Sequence, residues 1–315
     1  MNFTLNVLGT ASAKPSANRN SSAQVLDVRG RLFLIDCGEG AQRQFCRQHL
    51  SFERVDAIFI SHIHGDHIFG LFGLLSTVGL ATRRASVRIF GPNSLGPVLK
   101  FFLSYFGEQL GISIDFTPVK TKSPEVIFAN KFMTVEAFPL NHRIETYGYL
   151  FREKLPQLNV RKSAIGEYGL GIEEICSLKN GEDVVRLNGD GVPVQRIPNA
   201  DVTFLPYRPR SFAYCSDTAP FPELSEWVMG ADLLYHETTY MADMEKEAAE
   251  RYHSTTLQAA QCALEAGVGK LIAGHYSSRY RDTAPLLAEL RSIFPNSFAA
   301  NDGDVFDVPL ETFKK

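Results

Sequence analysis

The chain opens on "NFTLNVLG", where Phe3, Leu5 and Val7 alternate with other positions in the period of a half-buried strand. "AQVLDVRGRLFLIDCG" reads as two strands folded about Arg29-Gly30, a hairpin signal. "RVDAIFI" is a short buried strand, and "IFGLFGLLSTVGLATRR" after it has the apolar density of a helix. "SVRIFGP" and "NSLGPVLKFFLSYFG" repeat the order of strand, then helix. Three more strand-like runs, "EVIFA", "KFMTVEAF" and "YGYLFR", lie between Glu125 and Arg152. In the last third "FAYCS" is followed by the helix "PELSEWVM", "DLLYH" by "MEKEAAERY", and "KLIAG" by "APLLAELRSIF". Clustered strands with helix–strand alternation in each half predict an α/β fold: an αββα sandwich with helices on both outer faces.

Residues 154–200 break this rhythm, being rich in Gly and turn dipeptides and lacking a long periodic face. A stretch of that kind is an insertion, an arm, a functional loop or a variable surface excursion. With this insertion included, the chain reads as one domain running over 1–315.

Composition narrows the class. The chain has 315 residues, 44% hydrophobic and 21% charged, ordinary for a globular enzyme. No apolar run approaches the roughly 18 residues of a membrane-crossing helix. The opening "MNFTLNVLGTAS" lacks the basic and apolar regions of a secretory signal, so a cytoplasmic location is expected. The cysteines Cys37, Cys46, Cys176, Cys215 and Cys262 share no CxxC spacing and read as small hydrophobes. A net charge of −3 argues against a broad surface that coats nucleic acid, while leaving room for a local basic patch.

Candidate chemistry concentrates in "IFISHIHGDHIFG". His62, His64, Asp66 and His67 fall within six positions of a chain that has only eight histidines. In extended or turning backbone, side chains two apart share a face, and Gly65 permits the bend that sends Asp66 and His67 to another side. One loop can thus offer two nitrogens to one metal and a carboxylate plus a nitrogen to a second. Imidazole with carboxylate suits zinc, with manganese or iron as other candidates. Further donors follow apolar strands: His142 in "FPLNHRIETYGYLF", Asp217 in "FAYCSDTAP" and His275 in "LIAGHYSSRY". Taken alone, Asp217 also suits a turn or an N-cap. Together, their recurrence at strand ends places all of them on one edge of the sandwich.

H-x-H-x-D-H followed by a lone His, an Asp and a last His resembles the ligand order of the metallo-β-lactamase superfamily. "VLGTASAKPSANRNSSA", "LIDCGEGAQRQ", "HRIETYGY", "SDTAP", "YHETTY", "HSTTLQAA" and "GHYSSRY" narrow the resemblance to ribonuclease Z, the tRNA 3′-end endonuclease. These motifs span Leu8 to Tyr280. The resemblance implies that His62, His64 and His142 hold one Zn2+, that Asp66, His67 and His275 hold a second, and that Asp217 bridges them. It implies a hydrolase that cuts 3′ trailers from tRNA precursors and leaves a 3′-hydroxyl. Asp66 would share in activating the attacking water, and His253 of "HST", oriented by Glu237 of "HET", would protonate the leaving oxygen. On bare sequence His253 could equally precede the capped helix "STTLQAAQCALEA". Asp36 would orient the ligand loop from beneath, or act as a strand-end turn residue. Arg279 could meet a phosphate or form a structural ion pair. His236 would help place Glu237 or complete its strand, and His49 reads as a surface residue.

The resemblance also implies a homodimer, and makes 154–200 a flexible arm that grips the tRNA elbow. In place of that arm's glycine–proline-rich turn and lysines stands "GEYGLGIEEICSLKNGED". Glu167, Glu173, Glu174, Glu182 and Asp183 follow the basic Arg152, Lys154, Arg161 and Lys162, an arm weaker electrostatically than the family norm. Two rivals share the fold: a hydrolase of small phosphodiesters or sulfate esters, which needs no arm, and a non-catalytic RNA-binding relative.

Overall fold

The computed structural model describes residues 1–81 and 86–313. Two seven-stranded sheets dominate it. The first runs, edge to edge, through Val305–Asp307, Phe3–Gly9, Ala23–Val28, Arg31–Ile35, Val55–Phe59, Ser86–Pro92 and Ser113–Val119. The second runs through Ser297–Ala299, Lys270–Gly274, Leu233–Glu237, Ser211–Cys215, Tyr147–Glu153, Met133–Pro139 and Glu125–Ala129. Within each sheet, antiparallel hairpins meet parallel strands linked through helices.

Strand alternation builds the layers. Phe33, Ile35, Ala57 and Phe59 enter a core shared with Phe128, Tyr149, Phe151, Phe212 and Tyr235 of the second sheet. Their neighbours Leu32, Leu34, Ile58 and Ile60 enter a different core with Leu71, Leu74, Leu75, Leu95 and Leu99 of the helices. Ala213, Cys215, Leu234 and Leu271 do the same on the far side, against Leu224, Ala259, Ala260, Ala263 and Leu286. Four layers, helix–sheet–sheet–helix, follow from a side-chain period of two. The expected αββα sandwich is the observed one.

The helix expected from Ile68 starts later, at Leu71. A short turn, Gly65–Ile68, precedes the helix Leu71–Ala81. The break between them serves a close crossing with the loop after Ile35: Cys37 N–H donates to His67 O at 2.7 Å and Gly70 N–H to Cys37 O at 2.9 Å. A Cβ on Gly38 would stand 2.2 Å from Asp66 O, and one on Gly70 2.1 Å from Gly38 O. Both glycines are therefore needed for approach rather than for φ. The tail of that expected helix, positions 82–84, lies outside the described residues.

Residues 153–210, with the chain from Pro309, form a second compact unit. The segment 154–200 that looked irregular is built of helices Lys162–Tyr168 and Ile172–Lys179 and a hairpin of Val184–Leu187 with Pro193–Ile197. Ala164, Leu170, Leu178, Val184, Ile197 and Val202 form its own small core. Each element is too short for its apolar period to stand out in the sequence. Glu153 and Arg210, at the two ends of the segment, form a buried two-pronged ion pair at 2.9 and 3.1 Å. Two of the acidic residues are spent internally, Glu174 on Arg186 at 2.7 Å and Asp183 on Arg196 at 2.7 Å.

The joint between the sheets is aromatic. Phe59 meets Phe151 edge-on at 5.2 Å and Phe128 at 6.0 Å, and stacks on Phe90 at 5.1 Å. Truncating Phe59 to Ala leaves a cavity where the two sheets meet. It is expected to cost about 3–5 kcal/mol in denaturant unfolding, and a loss below about 1 kcal/mol would show that this ring does not hold the sheets together.

Candidate metal centre

Every strand that carries a candidate ligand ends at the same edge of the sandwich. Val55–Phe59 leads into His62, His64, Asp66 and His67; Met133–Pro139 leads into His142. Ser211–Cys215 leads to Asp217, and Lys270–Gly274 to His275. Parallel pairing of the last strands with Leu233–Glu237 brings Glu237 alongside.

Two groups of donor atoms result: His62, His64, His142 and Asp217 in one, Asp66, His67 and His275 in the other. Asp217 stands between them. Its Oδ2 is 3.6 Å from His62 Nε2 and 3.8 Å from His142 Nε2, while its Oδ1 is 3.4 Å from His67 Nε2 and 3.2 Å from His275 Nε2. Asp66 Oδ2 lies 3.4 Å from His275 Nε2 and accepts a 2.6 Å hydrogen bond from Ala13 N–H. His253, near Asp217 and His275, is within reach of the same space.

The outer nitrogens decide what the inner ones can do. His67 Nδ1 meets Asp36 Oδ2 at 2.7 Å, a contact that requires its proton there. His142 Nδ1 donates to the carbonyl of Tyr252 at 2.9 Å. Ser61 Oγ gives its proton to Asp36 Oδ2 at 2.8 Å and so accepts from His62 Nδ1 at 2.9 Å. Thr239 Oγ1 gives its proton to Glu237 Oε2 at 2.5 Å and accepts from His275 Nδ1 at 2.9 Å. Each ring therefore turns a bare Nε2 lone pair inward when neutral.

Lone pairs aimed at one another cannot hydrogen-bond. Yet His67 Nε2 is 3.2 Å from His275 Nε2, and His64 Nδ1, 3.0 Å from His62 Nε2 and 3.4 Å from His142 Nε2, has at most one proton for the two. The buried Asp217 Oδ1 also has no hydrogen-bond partner among the described residues. Burial, reinforced by His67, pushes the His62 pKa well down, and burial lowers those of His64 and His142. At His67 burial is overridden by Asp217, Asp66 and Asp36, which draw positive charge to the ring and raise its pKa. Neutral imidazoles on one side and a carboxylate-rich demand for positive charge on the other are the donor set of a divalent cation site.

Asp36 has the role that sequence left open. Buried with φ of 53°, it receives Ser61 N–H at 2.7 Å, Ser61 Oγ at 2.8 Å, Tyr214 Oη at 2.7 Å and the His67 ring.

Glu237 is equally occupied. Oε1 meets His253 Nδ1 at 2.9 Å and accepts from Ser254 N–H at 2.9 Å and Thr218 N–H at 3.2 Å. Oε2 accepts from Thr239 N–H at 2.9 Å and from its hydroxyl. Burial would lower the His253 pKa, but the Glu237 carboxylate outweighs it and carries the ring up to about 9. His253 therefore holds a proton at neutral pH, with Nε2 free of Glu237. It follows directly on Tyr252, whose φ of 60° ends the helix Glu245–Arg251 and whose carbonyl holds His142.

Sequence reasoning missed Thr239, Ser61, Tyr214 and Tyr252. Thr239 and Ser61 lie beside motif residues, so proximity was a signal, whereas the Tyr214 and Tyr252 contacts are long-range and leave no local pattern. The other singled-out residues lie apart from the donor groups. Arg279 packs over the Tyr240 ring at 5.1 Å and bonds Glu247 at 3.2 Å, the structural ion pair of its two readings. His236 is buried and donates from Nδ1 to Glu237 O at 2.7 Å. His49 is exposed, in a left-handed turn.

Comparison with known proteins agrees with this architecture. The family described as Anti-Pycsar protein Apyc1 matches residues 3–155. A ribonuclease Z of Cytophaga hutchinsonii is 42% identical over 308 residues, 98% of this chain and 97% of its own length. One from Bacteroides fragilis is 41% identical over 300 residues, 95% of this chain and 97% of its own. The crystal structure of human tRNase Z, short form, superposes with a TM-score of 0.71 at 25% identity, covering 97% of this chain and 99% of that one. With full-length identity at this level and the fold shared, the chain belongs to the ribonuclease Z family.

Proposed function

We propose that the protein is a divalent-metal-dependent endoribonuclease that removes 3′ trailers from tRNA precursors, with two Zn2+ as its resident ions. The observation that carries this reading is the division of one donor set by Asp217, next to a protonated His253 held by Glu237. His62, His64 and His142 would hold one ion; Asp66, His67 and His275 the other; Asp217 would reach both. When bound, such a pair supplies neutralisation of phosphate charge and acidification of water. The chain supplies the rest. Asp66, fixed by Ala13 N–H, orients the attacking water on the phosphorus. As the bond from phosphorus to the ribose 3′-oxygen breaks, His253 Nε2 delivers its proton to that oxygen, leaving a 3′-hydroxyl on the tRNA. Glu237 keeps the imidazolium oriented and stabilised throughout.

A tRNA precursor with a labelled 3′ trailer tests this. Single cleavage at the tRNA boundary is expected, abolished by chelator. His253→Ala is expected to lose about 10²–10⁴-fold in rate with bound metal unchanged, whereas Asp217→Ala loses metal and activity together. A His253→Ala enzyme cleaving at the wild-type rate would remove the acid from this scheme.

Residues 154–200 are proposed as the arm that holds tRNA. Its support is a cavity of about 610 Å³ in the second unit, lined by Arg161, Lys162, Lys179 and Phe204 and by no carboxylate. Cations suit backbone phosphates and an aromatic ring suits a base. With Lys162 and Lys179 both changed to Glu, KM for the tRNA precursor should rise about tenfold or more while hydrolysis of a minimal aryl phosphodiester is unchanged. An equal effect on both substrates would deny the arm its selective role.

A homodimer is proposed from an exposed aromatic face. On the helix Leu95–Phe106, Phe101, Tyr105 and Phe106 are 66%, 68% and 51% exposed, and their rings pack on each other and on Phe102. Phe101→Ser with Tyr105→Ser should shift sedimentation from dimer to monomer, and a wild type that sediments as a monomer would defeat the proposal. No helix among the described residues is long and apolar enough to cross a membrane. Free cysteines throughout and a tRNA substrate suit the cytoplasm.

A further inference from the structure

Behind the metal centre, on the helical side of the second sheet, lies a cavity of about 330 Å³ that the proposed reaction does not use. Phe221, Leu224 and Cys262 give it apolar walls, and Ser225, half-buried, stands at its rim. This size is at the lower end of small-molecule sites.

Its polar groups are one-sided. His236, 1% exposed, lines the cavity and spends Nδ1–H on Glu237 O, and its Nε2 has no partner among the described residues. Burial lowers the pKa of this ring, so Nε2 is an acceptor. Ser254 also lines the cavity, but its hydroxyl proton goes to Thr218 O at 2.7 Å, leaving only lone pairs. Gln258 donates to Glu245 at 3.1 Å and Gln261 to Glu265 at 2.8 Å, so one N–H of each side-chain amide is drawn to a carboxylate. Glu265, at the wall, adds negative charge. The buried polar atoms that the cavity offers, His236 Nε2 and Ser254 Oγ, are thus acceptors.

We propose that this cavity is a second ligand site, which takes a planar aromatic molecule carrying an N–H or O–H donor and no negative charge. The ring lies between Phe221, Leu224 and Cys262, and its donor is received by His236 Nε2. Anionic groups are disfavoured because the buried polar atoms of the cavity, His236 Nε2 and Ser254 Oγ, are acceptors and Glu265 repels them. The occupied cavity abuts Ser254 and Phe221, one residue beyond His253 and four beyond Asp217 in the chain.

Indole, an apolar ring with a single N–H, is the probe, and 1-methylindole is the same ring without the donor. With the metal-loaded full chain in heteronuclear NMR, indole should shift the amides of Leu224, Ser225, His236 and Cys262 saturably. 1-Methylindole should bind about fivefold more weakly, the size of one lost hydrogen bond to a neutral acceptor. Ser225→Trp, which caps the rim from a half-buried position, should abolish the shifts while tRNA cleavage reports that the variant is folded. Equal binding of the two probes, indole binding undiminished in Ser225→Trp, or no saturable shift would each overturn the proposal.

Discussion

The carboxylate of Asp36 is the constraint on which the centre rests. It is wholly buried and receives a backbone amide, a serine hydroxyl, a tyrosine hydroxyl and an imidazole. Those groups come from the turn after Val55–Phe59, from the short turn Gly65–Ile68 and from the strand Ser211–Cys215, so one side chain ties both sheets to the ligand loop. A buried carboxylate is costly unless several donors meet it, and here the donors are the parts that need holding. The tautomers of His62 and His67 both follow from this one residue.

A second hub repeats the device on the opposite sheet. Glu237 gathers the turn after Asp217, the start of the helix Thr256–Glu265 and the His253 ring, and through Thr239 it also sets His275. The candidate ligands and the proposed acid are thus not independent inventories. Thr239 joins them, because a single hydroxyl proton points to Glu237 and a single lone pair faces His275.

Much of this was legible in the chain, for identifiable reasons. The strand ends were visible because strand interiors here are continuous apolar runs with metal-competent residues directly after them, and Asp217 and His275 could be placed on one edge from that alone. The break at Phe69-Gly70 was not visible, since it answers to the crossing of Gly38 rather than to its own neighbours. The inserted unit looked irregular because its core residues come singly from short elements, as Leu170, Leu178, Val184 and Ile197 do. Glu174 and Asp183 are partners of Arg186 and Arg196, and charge counted along a chain does not reveal which charges cancel in space.

The turn at Tyr252 combines two of these dependencies. Its carbonyl fixes His142, and the next residue is His253. The candidate ligand His142 and the proposed proton donor His253 are therefore both placed from this one turn, one through a hydrogen bond and the other through the next peptide bond. Such a turn is a ruler: side chains along it can vary in identity, but a residue added or removed would displace one imidazole relative to the other. Loop length, more than composition, is what this part of the molecule has to conserve.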